Sequence, residues 1–124
     1  MSDTYHLFRE GQQRLRDGMA AQATVPLERA KKLEPAKASI REALGIAYFR
    51  LARWQDAERE FRTIVEELSP TDPYAHYALG RALERQGRTA EANGHYKLAS
   101  SMDPGSEQYA ARILDLDVVD TDQG

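Results

Sequence analysis

The tripeptide Ala-Leu-Gly stands at residues 43–45 and again at residues 78–80, 35 positions further along the chain. A step of 34 residues back from Gly45 reaches Gly11. Self-similarity at a fixed period of roughly 20 to 50 residues is the signature of repeat proteins, in which each repeat forms one small structural unit. The spacing therefore predicts three tandem units, each about 34 residues long.

Other positions keep the same register. Four further sets recur at nearly the same offset: Ala23, Ala57 and Ala92; Leu27, Phe61 and Tyr96; Ala30, Ile64 and Ala99; Pro35, Pro70 and Pro104. Glycine inside a helix costs about 1 kcal/mol relative to alanine, so its recurrence indicates two helices that cross too closely for a side chain. A proline ends each second helix, because it has no N–H to donate and clashes with the preceding turn.

The composition fits a small helical protein of one domain. The 124 residues are 41% hydrophobic and 30% charged, which is typical of a soluble folded chain. No stretch approaches the roughly 18 consecutive apolar residues of a membrane span. The polar start Met1–Thr4 has no signal-peptide features, and the chain contains no cysteine. We therefore expect a cytoplasmic protein with no membrane partner, no disulfide and no thiolate chemistry.

The formal charge of −3 is unevenly distributed. All 17 Lys and Arg residues lie at or before Arg112, together with 16 of the 20 acidic residues, which leaves that part at +1. The other four acidic residues are Asp115, Asp117, Asp120 and Asp122. No basic stripe of the kind that binds nucleic acid is present, so no nucleic-acid partner is expected. Residues 118–124 are predicted to form an acidic, disordered tail.

The register resembles that of the tetratricopeptide-repeat family, whose unit is a helix pair of about 34 residues with small, aromatic and proline residues at fixed positions. The resemblance covers about residues 4–107. It implies an all-α fold, a right-handed superhelical α-solenoid of three antiparallel helix pairs with a short C-terminal capping helix. The expected repeats span about 4–37, 38–72 and 73–106. With a cap at about 106–117 they form a single domain, residues 1–117.

Turn and cap residues support these boundaries. Asp17-Gly18 and Gln86-Gly87 predict the turns within repeats one and three, and Leu51-Ala52-Arg53 takes that place in repeat two. Asp72 or Thr71 is expected to cap the helix that begins at Pro73. Ser106 is expected to cap a last helix. The apolar side of that helix would be formed by Tyr109, Ile113, Leu114 and Leu116.

Repeats one and two depart from the family pattern. In repeat one, Arg14 stands where an aromatic residue is usual. Pro26 falls inside the expected second helix, where proline costs about 3 kcal/mol. That helix therefore either kinks at Pro26 or is regular only from about Val25 onward. Repeat two has one extra residue before Pro70, which we interpret as a slightly longer connection.

The resemblance implies a binding surface, the concave groove formed by the inner faces of the first helices. The residues at the corresponding positions are Tyr5, Phe8, Arg9, Gln12, Arg16, Glu42, Ile46, Phe49, Arg50, Tyr74, Tyr77, Arg81 and Arg85. Arginine and aromatic side chains are concentrated at the energetic centres of protein interfaces. The groove is therefore predicted to bind an extended or helical peptide segment, acidic and with an aromatic or aliphatic anchor.

One specialised function of the family is argued against by the residues present. Chaperone-binding members hold two carboxylates with Lys, Asn and Arg side chains. The matching positions in this chain are Phe8, Gln12, Ala43, Tyr74 and Ala78. We therefore do not expect this protein to hold the acidic C-terminus of a heat-shock chaperone in that manner.

Catalysis has little support in the sequence. His6, His76 and His95 fall at unrelated positions of the repeat, so we expect no shared face that gathers them into a metal site. No nucleophile turn or glycine-rich phosphate loop is present. The prediction is a non-catalytic protein-interaction module, an adaptor or scaffold, without a cofactor or metal. The alternatives are a structural protein that forms homo-oligomers through its ends or acidic tail, and a specialised secretion chaperone.

Overall fold

The computed structural model describes residues 3–113, which contain seven α-helices and no β-strand. The helices are α1 (Asp3–Arg16), α2 (Ala20–Leu33), α3 (Ala38–Arg50), α4 (Trp54–Thr63), α5 (Pro73–Arg85), α6 (Thr89–Met102) and α7 (Glu107–Arg112), and α4 continues into a π-helix at Ile64–Leu68. Helices α1–α2, α3–α4 and α5–α6 form three antiparallel pairs, as predicted. The predictions for Leu114, Leu116 and residues 118–124 lie outside the described residues.

The repeated glycines mark the close crossing within each pair. A Cβ atom built on Gly11 would lie 2.4 Å from Cγ of Leu27, and one on Gly45 would lie 2.6 Å from Cε2 of Phe61. The equivalent atom on Gly80 would lie 2.5 Å from Cε1 of Tyr96. Since carbon atoms normally pack at about 3.5–4.0 Å, the first helix of each pair has no room for a side chain at this point. The large residue of each second helix fills that space and is almost completely buried.

Pro26 lies within α2, which is helical throughout Ala20–Leu33, so the expectation of a helix regular only from Val25 is wrong. Proline has no N–H, so the carbonyl of Gln22, four residues earlier, loses its helical donor. The guanidinium Nη1 of Arg14 donates to that carbonyl over 2.9 Å and also pairs with Glu10. The two departures of repeat one therefore compensate each other, because the unusual arginine satisfies the oxygen that the unusual proline leaves open.

The extra residue of repeat two lies inside its second helix, so the interpretation as a longer connection is wrong. The connections after the three second helices are equal in length, residues 34–37, 69–72 and 103–106. The additional residue is absorbed by the π-helix at Ile64–Leu68, where the N–H of Ser69 donates to the carbonyl of Ile64 over 2.7 Å. A π-helical turn holds one residue more than an α-helical turn. The first helix of repeat three therefore starts in the same register as its counterparts.

The caps form as predicted. The carboxylate of Asp72 accepts the N–H of Ala75, and the hydroxyl of Ser106 accepts the N–H of Tyr109. Helix α7 buries Tyr109 against the last repeat, which covers the apolar end that a solenoid otherwise exposes. No helix within residues 3–113 has both the length and the apolar character needed to cross a bilayer.

The turns between paired helices require a left-handed backbone. Gly18 and Gly87 have φ angles of 75° and 79°, and Ala52 takes the same conformation with φ 59°. The left-handed region brings Cβ too close to the following carbonyl and costs roughly 1–2 kcal/mol for a residue other than glycine. Repeat two therefore carries strain that the other two repeats avoid.

Replacing Ala52 with glycine should raise the free energy of unfolding by about 0.5–1 kcal/mol, since the relieved strain exceeds the extra entropy that glycine loses on folding. Urea denaturation of the purified chain measures this gain. Gly87→Ala is the reciprocal variant, because the equivalent turn then acquires the strain. It should lose a similar amount, and a loss in both variants would contradict the argument.

Candidate peptide-binding groove

The first helices α1, α3 and α5 line the concave side, and two cavities lie along it. The cavity between α1 and α3 measures about 240 Å³ and is lined by Phe8, Gln12, Leu15, Arg16, Ser39, Glu42, Ala43 and Ile46. The cavity between α3 and α5 measures about 230 Å³ and is lined by Ile46, Phe49, Arg50, Phe61, Tyr74, Tyr77, Ala78 and Arg81. Ile46 lines both, so the two cavities are adjacent on the concave side, and together we call them the groove.

The structure brings most of the predicted groove residues to these cavities but leaves three outside. Tyr5 is 56% exposed at the open N-terminal end, where its ring contacts only that of His6 among the ring pairs of residues 3–113. Arg9 is exposed on the same helix. Arg85 lies beyond the α3–α5 cavity, over the rings of Phe49 and Trp54.

Aromatic rings form the floor and wall of the α3–α5 cavity. The rings of Phe61 and Tyr74 lie 6.3 Å apart, and those of Tyr74 and Tyr77 lie 6.2 Å apart. Phe61 was missed as a groove residue because its repeat position indicates packing between paired helices. Gly45 was the signal that could have found it, since a first helix without a side chain at the crossing lets the ring reach the inner face.

The arginines at this cavity are positioned by rings and by one backbone group. The guanidinium of Arg81 lies 5.1 Å from the centroid of Phe49 and donates to the hydroxyl of Tyr77 over 3.3 Å. Arg85 lies 5.2 Å from the ring of Trp54, which itself packs against Phe49. Arg50 donates to the carbonyl of Leu15 over 2.8 Å. These contacts hold the guanidinium groups in place without neutralising their charge.

Cations of the groove and cations elsewhere differ in their pairing. Outside the groove, eight of the twelve cations form salt bridges with carboxylates inside residues 3–113: Arg14, Lys31, Arg41, Arg53, Arg59, Arg62, Arg88 and Arg112. Within residues 3–113, none of the five groove arginines does so, although Arg16 donates to the side chain of Gln13. Among residues 3–113, the arginines of the concave face thus have no carboxylate within salt-bridge distance, and two of them line the aromatic cavity.

The negative charge of the groove is confined to one part of it. Burial raises the pKa of Glu42, and the nearby Asp72 raises it further. A second carboxylate is therefore disfavoured beside Glu42. An anionic ligand is better accommodated on the side of Arg50, Arg81 and Arg85.

Two of the three histidines lie together, although they occupy unrelated positions of the repeat. The Nδ1 atoms of His76 and His95 are 3.0 Å apart, and Nε2 of His76 lies 2.7 Å from the carbonyl oxygen of Pro70. A carbonyl only accepts, so Nε2 of His76 carries a proton, and in the neutral ring its Nδ1 accepts from His95. The pair links α5, α6 and the connection before α5. No group of three or more potential metal ligands lies within residues 3–113.

Acidification should destabilise the fold through His95. Burial lowers the pKa of His95, and the charges of His76 and Arg62 lower it further against the opposing effect of Glu91 and Glu66. The unfolded chain therefore binds the proton more tightly, and stability is lost as the pH falls below about 6.5, the ordinary histidine value. Urea denaturation at pH 7.5 and 5.5 measures the loss.

His95→Asn keeps a donor near the Nδ1 position but does not titrate, so it should lose less stability than the wild type between these two pH values. His6→Asn changes an exposed histidine on α1 and serves as the matched control, with the same loss as the wild type. An equal loss in the His95 variant and the wild type would exclude His95 as the group responsible.

Comparison with known proteins gives one family. A sequence model of the tetratricopeptide repeat matches residues 12–73 and again residues 42–107. No curated protein sequence matches the chain. Among solved structures, the first TPR of Spaghetti (RPAP3) bound to the HSP90 peptide SRMEEVD has a TM-score of 0.85 at 19% identity and covers 90% of this chain and 87% of that chain.

Two other solved structures show the same fold. MamA has a TM-score of 0.85 at 23% identity, covering 89% of this chain and 64% of that chain. The Arabidopsis OM64 TPR domain has a TM-score of 0.84 at 19% identity, covering 88% of this chain and 89% of that chain. The matched repeats, the three helix pairs and the glycine crossings agree. The chain belongs to the tetratricopeptide-repeat family, whose domains are non-catalytic modules for protein–protein interaction.

Proposed function

We propose that the concave groove binds a segment of a partner protein that carries acidic residues beside an aliphatic or aromatic anchor. The observation that carries this proposal is that none of the five groove arginines forms a salt bridge inside residues 3–113, and that two of them, Arg50 and Arg81, line the aromatic cavity between α3 and α5. Elsewhere in residues 3–113, eight of the twelve other cations pair with carboxylates. A surface that leaves its arginines without a carboxylate partner beside an aromatic cavity has the chemistry of an interface for an acidic partner.

The two parts of the ligand have different roles in binding. Burial of one aliphatic or aromatic side chain contributes about 1.5–3 kcal/mol, and the cavity of about 230 Å³ has room for such a side chain. The carboxylates pair with Arg50, Arg81 and Arg85, which fixes the direction of the peptide and speeds its approach. Arg81 and Arg85 are already held against rings, so little of their freedom is lost on binding.

The ligand is expected to differ from those of the similar structures. The first TPR of Spaghetti (RPAP3) is bound to the HSP90 peptide SRMEEVD, and the second human RPAP3 domain to the HSP70 peptide SGPTIEEVD. Those peptides also combine acidic and apolar residues. In this chain the clamp positions hold Phe8, Gln12, Ala43, Tyr74 and Ala78, so the carboxylates must be held by other groups, the three arginines of α3 and α5.

The triple variant Arg50→Glu, Arg81→Glu and Arg85→Glu should weaken binding to the native partner at least 100-fold, which corresponds to about 2.7 kcal/mol. The partner is identified by affinity capture with the wild-type chain and its affinity is then measured with purified proteins. Far-UV circular dichroism should show the helicity of the variant unchanged.

The matched control carries Arg29→Glu, Lys37→Glu and Lys97→Glu, three exposed cations outside the groove. It has the same net charge as the groove variant and should bind as the wild type does. Equal loss in both triple variants would indicate a general charge effect, and unchanged binding in the groove variant would overturn the proposal.

A further inference from the structure

Residues 114–124, with the sequence Leu-Asp-Leu-Asp-Val-Val-Asp-Thr-Asp-Gln-Gly, have the chemistry that the groove is proposed to bind. They contain four aspartates and no lysine or arginine, so they carry a charge of −4 against +1 for the rest of the chain. Aliphatic residues alternate with the first two aspartates at Leu114, Leu116 and Val118. An extended segment with this pattern presents aliphatic side chains on one side and carboxylates on the other.

The helix before this segment contacts a residue that lines the α3–α5 cavity. Helix α7, which directly precedes it, packs the ring of Tyr109 5.0 Å from that of Tyr77. Gln108 of the same helix donates to the hydroxyl of Tyr77 over 3.1 Å. Tyr77 lines the cavity together with Arg81. Helix α7 ends at Arg112, whose Nη1 lies 3.9 Å from Oε1 of Glu84 in the last turn of α5.

The length is sufficient to cross the groove. Eleven extended residues reach up to about 36 Å, at about 3.3 Å per residue. Packed helices lie about 8–10 Å apart, so α3 is well within this distance of α7. The aliphatic side chains can then lie on the buried rings of Phe61 and Tyr77, while the aspartates meet Arg50 and Arg85, which are exposed.

We propose that residues 114–124 occupy the α3–α5 part of the groove of their own chain and compete there with the partner. This inference rests on the proposed function, because it assigns a ligand to the same groove. A ligand joined to its site by a short flexible connection has an effective concentration in the millimolar range. Since this exceeds the usual concentration of a second copy, binding within one chain is favoured over binding between chains.

A spin label tests the location of the segment in the full chain. The protein has no cysteine, so Thr121→Cys provides a single attachment site. The label should broaden the amide NMR signals of Phe49, Tyr77 and their neighbours on α3 and α5. Broadening should vanish when Asp115, Asp117, Asp120 and Asp122 are all replaced by asparagine. Undisturbed groove signals in the labelled chain would overturn the proposal.

A mixed sample distinguishes binding of the segment to the groove of its own chain from binding to the groove of a second copy. Spin-labelled chains without ¹⁵N are mixed with ¹⁵N chains that carry no label. Broadening in the mixture as strong as that within one labelled chain would place the segment in the groove of a second copy, and would overturn binding within one chain. We expect no broadening in the mixture.

Competition gives the second test and separates failure of this inference from failure of the proposed function. A synthetic peptide of residues 114–124 is titrated by calorimetry into the wild-type chain and into the variant with four asparagines. The variant should bind it at least tenfold more tightly, because its own segment no longer competes, and Arg81→Glu added to that variant should abolish binding.

Equal affinity in the two chains, or no binding to the variant with four asparagines, would overturn the occupation of the groove by this segment. Neither result bears on the capture of the native partner, which tests the proposed function separately.

Discussion

Replacing Gly45 with alanine should lower the free energy of unfolding by about 2 kcal/mol. The new Cβ would lie 2.6 Å from the ring of Phe61, and that ring is only 2% exposed, so it cannot swing outward. Such overpacking costs about 3 kcal/mol, of which alanine recovers about 1 kcal/mol through its higher helix propensity. Urea denaturation followed by circular dichroism measures the change.

The control for this experiment is the same substitution at Gly94, in the middle of α6. No atom lies within 4 Å of a Cβ built there, so Gly94→Ala should stabilise the protein by about 1 kcal/mol. The two variants then differ by about 3 kcal/mol although their chemistry is identical. If both were stabilised to the same extent, the close crossing of α3 and α4 would not be the reason for Gly45.

Replacing Glu60 with glutamine should cost about 2 kcal/mol, because the side chain loses its charge where it accepts two charge-assisted hydrogen bonds. Glu60 is 4% exposed, and its two oxygens lie 2.8 Å from Nζ of Lys31 and 3.2 Å from Nη1 of Arg41. Burial alone would lower the pKa of Lys31, yet hydrogen bonds to Glu60 and Glu28 raise it above its ordinary value. The carboxylate thus joins repeats one and two.

Glu66→Gln is the matched control for Glu60→Gln. Glu66 follows on the same continuous helix and pairs with Arg62, but its side chain is 58% exposed. Exposed ion pairs contribute about 0–1 kcal/mol, so this variant should unfold almost as the wild type does. Equal losses at the two positions in urea denaturation would show that burial of Glu60 does not decide its contribution.

The fold could be predicted from sequence because the residues at fixed repeat positions have the sizes that close packing of the two helices requires. Gly45 and Phe61 are complementary, a missing side chain on one helix and a large ring on the next, and the same pair recurs as Gly80 and Tyr96. The extra residue of repeat two could not be placed in advance. A helix can take up one residue as a π-turn without moving its ends, so the spacing of Gly and Pro positions alone does not locate it.

Repeat one shows a second limit of sequence interpretation. Arg14 and Pro26 were each recognised as departures, but they lie 12 residues apart on different helices. Nothing in the family pattern relates them. Only the geometry of the helix pair brings the guanidinium to the carbonyl of Gln22.

The residues that line the two cavities include most of the predicted groove residues of the first helices, together with Phe61 of a second helix. The family resemblance assigned Phe49, Tyr77 and Arg81 to the groove, and all three line the α3–α5 cavity. The contact of His76 with His95 was missed because the two occupy different repeat positions. It follows from the crossing of Gly80 and Tyr96, since each histidine lies within about one helical turn of one of these residues.

The packing of Trp54 makes the groove observable without a label. It is the only tryptophan in the chain, and its ring lies 4.9 Å from that of Phe49, beneath the guanidinium of Arg85. Indole emission responds to nearby charge, so a ligand carboxylate that draws Arg85 away changes the colour and yield of its fluorescence. We therefore expect the emission of Trp54 to report binding at the proposed groove, in dilute solution and on the timescale of mixing.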